Sequence, residues 1–222
     1  MKIITPVTIV LLMTASLLSQ RLYIEPDFGF YRPSENTYLD SLVIYPDTDS
    51  MYVRSHYFKF GSAPRYGMNI GLSFPNNMQV YLGYKSWKSD YINTIFETYA
   101  LGIKESAFLL ESNLGLRIGV EYIISRMYNT LDLPVWKLYS KGKGTALEAG
   151  IIYKITDRIT LFTGFDYLSP KTYIYKILRE GPEITMRKQG NIKMDGFSLK
   201  MNITFVLSAP IKFEALDRLI GH

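Results

Sequence analysis

Apolar and polar residues alternate with a period of two along most of this chain. From Leu114 to Tyr122, every second position is Leu, Leu, Ile, Val or Tyr, and the positions between them are Gly, Arg, Gly and Glu. Successive side chains of a β-strand point to opposite faces, so this segment predicts a strand with one apolar and one polar face. The same pattern predicts seven more strands, at about 22–30, 66–74, 78–84, 95–109, 147–155, 159–167 and 197–205.

The two faces of these strands differ in a way that favours a membrane protein. The polar face is rich in Gly and carries both signs of charge, whereas the apolar face is long and unbroken. A secreted β-sandwich or lipocalin-like barrel also alternates, but a sandwich turns its polar face to water and rarely places so many Gly there. Strands of about ten residues with apolar residues outside and polar residues inside are typical of transmembrane β-barrels. We therefore expect an all-β fold, a transmembrane antiparallel up-and-down β-barrel.

The predicted strand at 95–109 is less regular than the others. Glu105 falls on the apolar parity of the predicted strand 95–109. A β-bulge in that strand, or a position of Glu105 below the hydrocarbon, would explain the departure.

Connections of two lengths alternate between the predicted strands. Outer-membrane barrels have short periplasmic turns and long extracellular loops, so the alternation predicts eight strands with both ends of the barrel chain in the periplasm. The short links, rich in turn-forming residues, are 75–77, 111–113 and 156–157, and the long links are about 32–65, 86–94, 127–144 and 169–192.

Two of the long links contain strand-like segments of their own. Residues 172–177 and 184–187 are predicted to form one hairpin, and residues 42–45 and 51–53 another. In a closed eight-stranded barrel the last strand pairs with the first, so the two hairpins are expected to merge into one protruding sheet. The alternative is a ten-stranded barrel in which 36–46 and 51–60 also cross the membrane. The second of these segments offers a poor lipid face, because it contains Arg54, His56 and Lys59.

The first residues have the composition of a secretory signal peptide. Met1 and Lys2 precede an apolar stretch that ends in small and polar residues near Ser19 and Gln20. This stretch is shorter than a membrane-spanning helix requires, and Thr and Pro interrupt it. We expect three parts, a signal peptide at 1–19, an outer-membrane β-barrel domain at 20–206 and a short periplasmic C-terminal tail at 207–222.

Composition narrows the functions that such a barrel can have. The 222 residues include no Cys and only two His, His56 and His222. Disulfides, Cys-zinc sites and thiol catalysis are thereby excluded, and His-based metal sites are disfavoured. The net charge of +5 is spread along the chain without the dense cationic clusters of nucleic-acid-binding proteins. We expect no metal, no cofactor and no nucleic acid.

Assigning faces by parity places ten charged residues inside the barrel, five acidic and five basic. An eight-stranded barrel is nearly filled by its own side chains. Because an unpaired buried charge is very costly, these groups are expected to form salt bridges that block the lumen. The alternative is a path for ions. The predicted lumen network consists of Glu25, Asp27, Lys85, Lys104, Arg117, Glu121, Glu148, Lys154, Asp166 and Lys200.

Aromatic residues collect near the ends of the predicted strands, where amphipathic rings suit the membrane interface. We expect an outer and an inner aromatic belt around the barrel. The outer belt would contain Trp87, Trp136, Tyr31, Tyr66, Tyr84, Tyr128 and Tyr167, and the inner belt Phe74, Phe108 and Phe205.

Two of the long loops carry an excess of positive charge. Cations on these extracellular loops could bind the phosphates of lipopolysaccharide in the outer leaflet. An ordinary solvated basic surface explains the same charges. The residues concerned are Lys137, Lys141, Lys143, Lys171, Lys176, Arg179, Arg187 and Lys188.

Motifs for catalysis and calcium binding are weak. The segment 47–50 begins like a calcium loop, but Tyr52 and Phe58 occupy the positions that require Gly and Glu. Ser55 and His56 are the one Ser–His neighbour pair, and adjacent residues of a strand point to opposite faces. A lipid A-modifying enzyme is therefore the weakest of the alternatives, and we expect no catalytic residue.

Over about residues 21–206, the chain resembles the OmpA/OmpX-like outer-membrane β-barrel family. The most specific element is 196–205, which looks like the final-strand signal read by the barrel-assembly machinery because it alternates and ends in an aromatic residue. Members of the family often stop at that residue, whereas this chain continues to His222. The Tyr- and Lys-rich style is similar to that of small barrels from Bacteroidota. The residues of the predicted assembly signal are Phe197, Leu199, Met201, Ile203 and Phe205.

The resemblance implies a structural, adhesion or surface-protection role without catalysis in the envelope of a Gram-negative cell. We expect a monomeric outer-membrane protein with a plugged lumen, whose protruding basic loops contact lipopolysaccharide or an external protein partner. The barrel-assembly machinery is its expected partner during biogenesis. The alternative function is a narrow porin-like channel for ions or small solutes.

Overall fold

The computed structural model describes residues 20–34, 39–40, 42–44, 51–53, 61–89, 94–132, 135–179 and 191–207. Eight long strands lie in these ranges, and each covers one of the strands predicted from the alternation to within one residue. They are β1 (Arg21–Pro33), β2 (Ala63–Ser73), β3 (Met78–Ser89), β4 (Thr94–Phe108), β5 (Leu114–Asp132), β6 (Val135–Thr156), β7 (Ile159–Arg179) and β8 (Gly196–Val206). The described part of the chain contains no helix long and apolar enough to cross a membrane.

The eight strands close into an antiparallel barrel. Each strand pairs with its neighbour in sequence, and β8 pairs with β1 as well as with β7. Leu199 of β8, for example, lies opposite Phe165 of β7 on one side and Phe30 of β1 on the other. The prediction of eight antiparallel strands is confirmed. The ten-stranded alternative is wrong, because β1 pairs directly with the whole length of β2 and leaves no place for two further strands.

The short turns lie at one end of the barrel, which we call the turn end, and the opposite end is the loop end. The first turn is stabilised by the Asn76 side chain, whose Oδ1 accepts a hydrogen bond from the backbone N–H of Met78 at 3.3 Å. Asn77 and Glu111 have positive φ angles of 63° and 56°, the left-handed conformation that tight turns use. The turns are 74–77, 109–113 and 157–158, as predicted within one or two residues.

Glu105 keeps its outward position without a bulge. It lies opposite Met78 of β3 and Ile118 of β5 in an uninterrupted register. The next residue, Ser106, donates its backbone N–H to the carbonyl of Asn77 in the first turn at 3.3 Å. Glu105 therefore lies near the first turn, which favours the second of the two explanations that its parity allowed.

Three neighbouring strands are much longer than the barrel wall requires. β5, β6 and β7 have 19, 22 and 21 residues, whereas about 9–11 residues of a tilted strand cross a bilayer. Pairing continues beyond the loop end as far as Asp132 opposite Val135 and Arg179 opposite Trp136. The predicted loop at 127–144 is therefore wrong, because most of it is paired strand. The predicted loop at 86–94 is also too long, since β3 extends to Ser89 and β4 begins at Thr94.

Two glycines give the stretch 127–144 a loop-like composition although it is a strand. A Cβ atom on Gly142 would lie 2.0 Å from the carbonyl oxygen of Lys171, and one on Gly144 would lie 2.2 Å from that of Ser169. Glycine is needed at these positions because the backbones of β6 and β7 approach closely, and not because the chain turns there.

Short strands extend the sheet beyond β7. Asn191–Lys193 pairs with residues 171–173, and Leu39–Asp40 pairs in turn with 191–192. These strands, together with the parts of β5, β6 and β7 beyond the loop end, are called the protruding sheet below. The first and last long loops thus share a sheet, but they do so through residues 39–40 and 191–193, which were not among the predicted hairpin strands.

The first predicted loop hairpin also forms, but it does not join that sheet. Leu42–Ile44 pairs with Met51–Val53 as a separate two-stranded sheet, so the expected merger of both hairpins is wrong for this one. The predicted strand at 184–187 lies outside the described residues. Residues 1–19, the tail after Leu207, and Ser55 and His56 lie outside them as well.

Candidate functional site in the barrel lumen

A buried carboxylate at the centre of the lumen, Glu25 of β1, accepts hydrogen bonds from five described side chains. These side chains come from β2, β4, β5 and β8, so the contacts cross the lumen and do not only join neighbouring strands. The donors are Thr204 Oγ1 at 2.5 Å, Lys104 Nζ at 2.6 Å, Asn202 Nδ2 at 2.7 Å, Asn69 Nδ2 at 2.9 Å and Arg117 Nη1 at 2.9 Å. A buried carboxylate with this many donors has its hydrogen-bonding capacity filled.

A second group of charges lies nearer the loop end. Arg65 of β2 donates to both carboxylate oxygens of Asp166 on β7, at 3.0 Å and 2.7 Å, and also to Asp27 on β1 at 3.2 Å. Its planar guanidinium group is suited to such two-pronged contacts. Lys200 of β8 lies 3.5 Å from Asp27 and 3.7 Å from Asp166. Each carboxylate of this group therefore has at least two cationic neighbours.

Glu121 of β5 is held by residues of β3 on the opposite side of β4. Lys85 Nζ donates to its two carboxylate oxygens, at 2.5 Å and 2.7 Å, and the Tyr81 hydroxyl donates to one of them at 2.7 Å. Lys85 also lies 4.0 Å from Asp27, which connects this pair to the second group.

Glu148 of β6 connects the groups into one network. One of its carboxylate oxygens lies 2.7 Å from Nε of Arg117, and the other accepts a hydrogen bond from Lys200. Because Arg117 also binds Glu25, a chain of contacts runs from Glu25 through Arg117, Glu148 and Lys200 to Asp27. The network therefore spans the lumen both along and across the barrel axis.

Nine of the ten charged residues predicted for the lumen belong to this network, and one does not. Lys154 has a side chain 40% exposed at the turn end, where it forms a salt bridge with Asp157 at 2.6 Å. It lies three residues before Asp157, where the turn begins, so its side chain has the inward parity but lies at the open mouth of the barrel. This bond lowers the pKa of the Asp157 carboxyl below its ordinary value.

The fifth base of the network is Arg65 and not Lys154. It was missed because 32–65 was predicted to be a loop, whereas β2 begins at Ala63. Its parity matches that of Asn69, so extending the alternation by two positions would have identified it. The network consists of five acids and five bases and has no net formal charge: Glu25, Asp27, Glu121, Glu148 and Asp166 with Arg65, Lys85, Lys104, Arg117 and Lys200.

Aromatic rings pack against two of the buried cations. The guanidinium carbon of Arg117 lies 3.6 Å from the centroid of the Phe162 ring, and Lys104 Nζ lies 4.6 Å from that of Tyr81. Cation–π contacts of this kind are stronger in a desolvated interior than at an exposed surface.

Above the network, towards the loop end, the lumen is filled by an apolar layer. Tyr31 stacks on Trp87, and Trp87 packs against Phe96, each pair with ring centroids 4.9 Å apart. The Tyr31 hydroxyl donates to the carbonyl of Met194 at 2.6 Å. Smaller and aliphatic residues fill the space around the rings, namely Ala63, Ala100, Ile123, Met127, Leu138, Ala146, Leu168, Ile174 and Met194. We call the three rings and these residues the aromatic layer.

The aromatic layer corrects two assignments to the outer belt. Tyr31 and Trp87 are buried in the lumen and do not face lipid. Both share the parity of the inward charges on their strands, Asp27 and Lys85, so the alternation was a better guide than the position near a strand end. Tyr66 and Tyr84 are exposed on the outer face as predicted. The side chain of Trp136 lies outside the described residues.

A cavity of about 730 Å³ opens at the turn end of the barrel. Its lining comes from all three turns and the strand ends next to them, including Gln79, Lys154 and Thr204. Thr204 also donates to Glu25, so the network forms the inner boundary of this cavity.

The predicted cations of the loops are placed in part. Lys137, Lys141, Lys143 and Lys171 are exposed and Lys176 is half-buried, whereas the side chain of Arg179 and the whole of Arg187 and Lys188 lie outside the described residues. Arg126, on the outer face of β5, belongs to the same surface and was not predicted.

The residues predicted to form the assembly signal all lie on the outward parity of β8. Phe197, Leu199 and Met201 are exposed, and Ile203 and Phe205 are half-buried. The alternate positions of the same strand, such as Lys200, point into the lumen.

No group of three or more His, Asp or Glu residues that could hold a metal ion occurs within the described ranges.

Comparisons with known proteins bear on the fold. The chain is similar to the outer membrane protein OprG from Pseudomonas aeruginosa, with 12% identity, a TM-score of 0.57 and coverage of 86% of this chain and 97% of that one. It is also similar to the outer membrane protein AlkL, whose structure was determined in lipid bilayers, with 15% identity, a TM-score of 0.54 and coverage of 87% and 94%. Neither a scan of protein-family models nor a search of curated proteins gave a match. At these identities the likeness shows the fold, a small closed barrel of the outer-membrane type.

Proposed function

We propose that the protein is an integral outer-membrane β-barrel with a structural or surface role and a closed lumen. The observation that carries the proposal is the lumen itself, where the charge network and the aromatic layer follow each other along the barrel axis. Ten charged side chains pair with one another in the network, and three rings packed against each other close the space above it. An eight-stranded barrel leaves little volume beyond what such side chains fill.

Membrane insertion is supported by the outer face of the barrel. Large apolar residues are exposed there on every strand. Their exposure is unfavourable in water and favourable in lipid. On β5 they include Leu116, Ile118 and Val120, each about half exposed. The fold shared with OprG and AlkL, both outer membrane proteins, agrees with this location. The turn end is then periplasmic and the loop end extracellular.

The protruding sheet is the part of the proposed protein that meets the exterior. It is built from the ends of β5, β6 and β7, together with strands from the first and last loops. A sheet presents partners with a more rigid surface than separate loops do, which suits adhesion or shielding of the cell surface. The exposed lysines of this sheet are the proposed lipopolysaccharide contacts.

A narrow channel is the second candidate, and the cavity at the turn end is the observation that favours it. Water and ions could enter this cavity from the periplasm as far as Glu25. To pass further, water and ions would have to break the buried salt bridges and then displace the packed rings of the aromatic layer. Planar-bilayer recording of the refolded protein decides between the two functions, because a closed lumen gives no channel steps and a pore gives steady ones.

A further inference from the structure

The charges of the outer face are placed at a sharp boundary on β5, β6 and β7. The outward residues between 114 and 124, between 145 and 155 and between 159 and 169 include no charged side chain. Each of these bands has the length that a tilted strand needs to cross a bilayer. The next outward residue towards the loop end is a cation on all three strands, namely Arg126, Lys143 and Lys171.

Four cations lie side by side at this boundary. Lys143 of β6 is directly opposite Lys171 of β7, and Arg126 of β5 is directly opposite Lys141 of β6. Lys141 and Lys143 are two residues apart on one strand and therefore share a face. All four side chains are exposed, and we call them the cationic quartet. Like charges directly opposite each other destabilise a sheet, so two such pairs together require a reason.

The protein does not neutralise this charge itself. None of the four forms a salt bridge with a carboxylate of the described residues. Glu97, which lies opposite Arg126 on β4, accepts a hydrogen bond from the Tyr84 hydroxyl at 2.9 Å. Lys141 lies 5.0 Å from the ring centroid of Tyr175, and Arg126 lies 5.5 Å from that of Tyr99. The rings contact the two cations but carry no formal charge, so Glu97 is the one described carboxylate directly opposite a member of the quartet, and it leaves three of the four cations without such a neighbour.

The turn end has no comparable group among the described residues. Its exposed charges have both signs, with Glu105, Glu111 and Asp157 alongside Arg21 and Arg158. The excess of positive charge is therefore specific to the level at which the apolar band ends on the extracellular side.

We propose that the cationic quartet binds the phosphate groups of an anionic glycolipid in the outer leaflet. This inference rests on the proposed membrane location and orientation of the barrel, and it deepens the proposed lipopolysaccharide contact by assigning it to one surface. Phosphate is the ligand class that clustered Lys and Arg recognise best. The quartet lies at the edge of the apolar band, where lipid headgroups begin, whereas Lys137 and Lys176 lie further out on the protruding sheet. A headgroup with two phosphates would neutralise both like-charged pairs.

The test is a titration of the full-length mature protein with diphosphoryl lipid A in mixed detergent micelles, in which native mass spectrometry counts the bound lipid. The variants are Lys143→Gln with Lys171→Gln, and Arg126→Gln with Lys141→Gln. Each cation near an anionic lipid surface strengthens binding about fivefold, so each double variant is expected to weaken lipid A binding by about tenfold or more. The matched control, Arg21→Gln with Arg158→Gln, removes two exposed cations at the turn end and is expected to bind as the wild type does.

A second readout separates lipid binding from a merely structural role. Without lipid A, Lys143→Gln with Lys171→Gln should raise the unfolding temperature, because it relieves the repulsion between the two lysines. With lipid A present, the same variant should unfold at a lower temperature than the wild type.

Several outcomes would overturn the inference. Equal lipid A binding by the wild type and both quartet variants would do so, as would an equal loss in the turn-end control. Tight binding of soluble dextran sulfate through the quartet, without binding of lipid A, would reassign the surface to a soluble polyanion. Failure of the wild type to insert into phosphatidylcholine vesicles would instead refute the proposed membrane location, so the two failures are distinguishable.

Discussion

Arg65 and Asp166 are joined across the barrel lumen by two hydrogen bonds, at 3.0 Å and 2.7 Å. They belong to β2 and β7, between which lie β8 and β1. The bond therefore fixes the distance between two parts of the wall that are three strands apart. Breaking a buried charge pair by removing one partner leaves the other charge uncompensated, which is more costly than losing the bond alone.

Replacement of Arg65 by Met should lower the free energy of unfolding by about 3–5 kcal/mol, since it leaves Asp27 and Asp166 without their main partner. Urea unfolding of the refolded protein in detergent measures the effect. Arg32→Met, which removes an exposed cation from the outward face of β1, is the matched control and should change stability by about 0.5 kcal/mol or less. Partial recovery is expected when Asp166→Asn is added to Arg65→Met. Equal stability of the Arg65 and Arg32 variants would contradict the assigned network.

The position of Trp87 in the aromatic layer can be tested by fluorescence. The sequence has two Trp residues, so the Trp136→Phe variant reports on Trp87 alone. Because Trp87 is buried in the lumen, its emission should resist both iodide in the buffer and brominated lipid in the bilayer. Strong quenching by brominated lipid would return Trp87 to the outer belt, and strong quenching by iodide would show that water reaches the layer.

Trp87→Ala should lower the free energy of unfolding by about 3–5 kcal/mol, because it removes a buried ring that contacts Tyr31 and Phe96. Trp87→Phe keeps a stacked ring and is expected to cost less than half as much. Thermal unfolding followed by gel mobility without boiling provides the measurement. Similar costs for both substitutions would argue against packing as the role of this residue.

On the outer face, Leu199→Arg should destabilise the barrel by about 2–4 kcal/mol in a bilayer, the cost of a cation facing hydrocarbon. The substitution is compared with Glu105→Arg, which places the same side chain on the outer face at the turn end and should change stability little. Folding into vesicles at a series of urea concentrations measures both variants. Little difference between them would contradict the assignment of the apolar band.

Gly142→Val should disturb the protruding sheet, because a Cβ atom there would lie 2.0 Å from the carbonyl oxygen of Lys171. The expected result is faster proteolysis of the sheet in a barrel that still migrates as a folded species. Gly61→Ala is the control, since the nearest atom to its Cβ would be Ser89 Oγ at 3.8 Å. Unchanged proteolysis of the Gly142 variant would show that β6 and β7 can separate there without loss of structure.

Most of the fold could be predicted from the alternation of side chains, and the predictions were wrong where another signal was preferred to it. Leu114 to Tyr122 and the other regular segments predicted eight strands and their faces, because lipid and lumen impose opposite polarity on alternate residues. Arg65, Tyr31 and Trp87 were misplaced where a loop boundary or a position near a strand end was given more weight than parity. All three follow the parity of their strands in the structure.

Other features of the site depend on contacts that sequence does not encode locally. Glu25 has five donors because the barrel closes and its strands are staggered. The stagger brings Lys104 of β4 and Arg117 of β5 to the height of Glu25 on β1. Parity alone gives only the face of each residue. Likewise, Gly142 and Gly144 are read as loop residues until the register with β7 shows how closely the two backbones approach.

The most direct test of the closed lumen is single-channel recording from the refolded, heat-modifiable protein in a planar bilayer, with a general porin as the positive control. The network and the aromatic layer predict no conductance steps at either polarity at neutral pH, in a membrane where the porin gives regular steps. Steady, reproducible steps from protein shown to be folded by its gel mobility would contradict the account and identify the barrel as a pore.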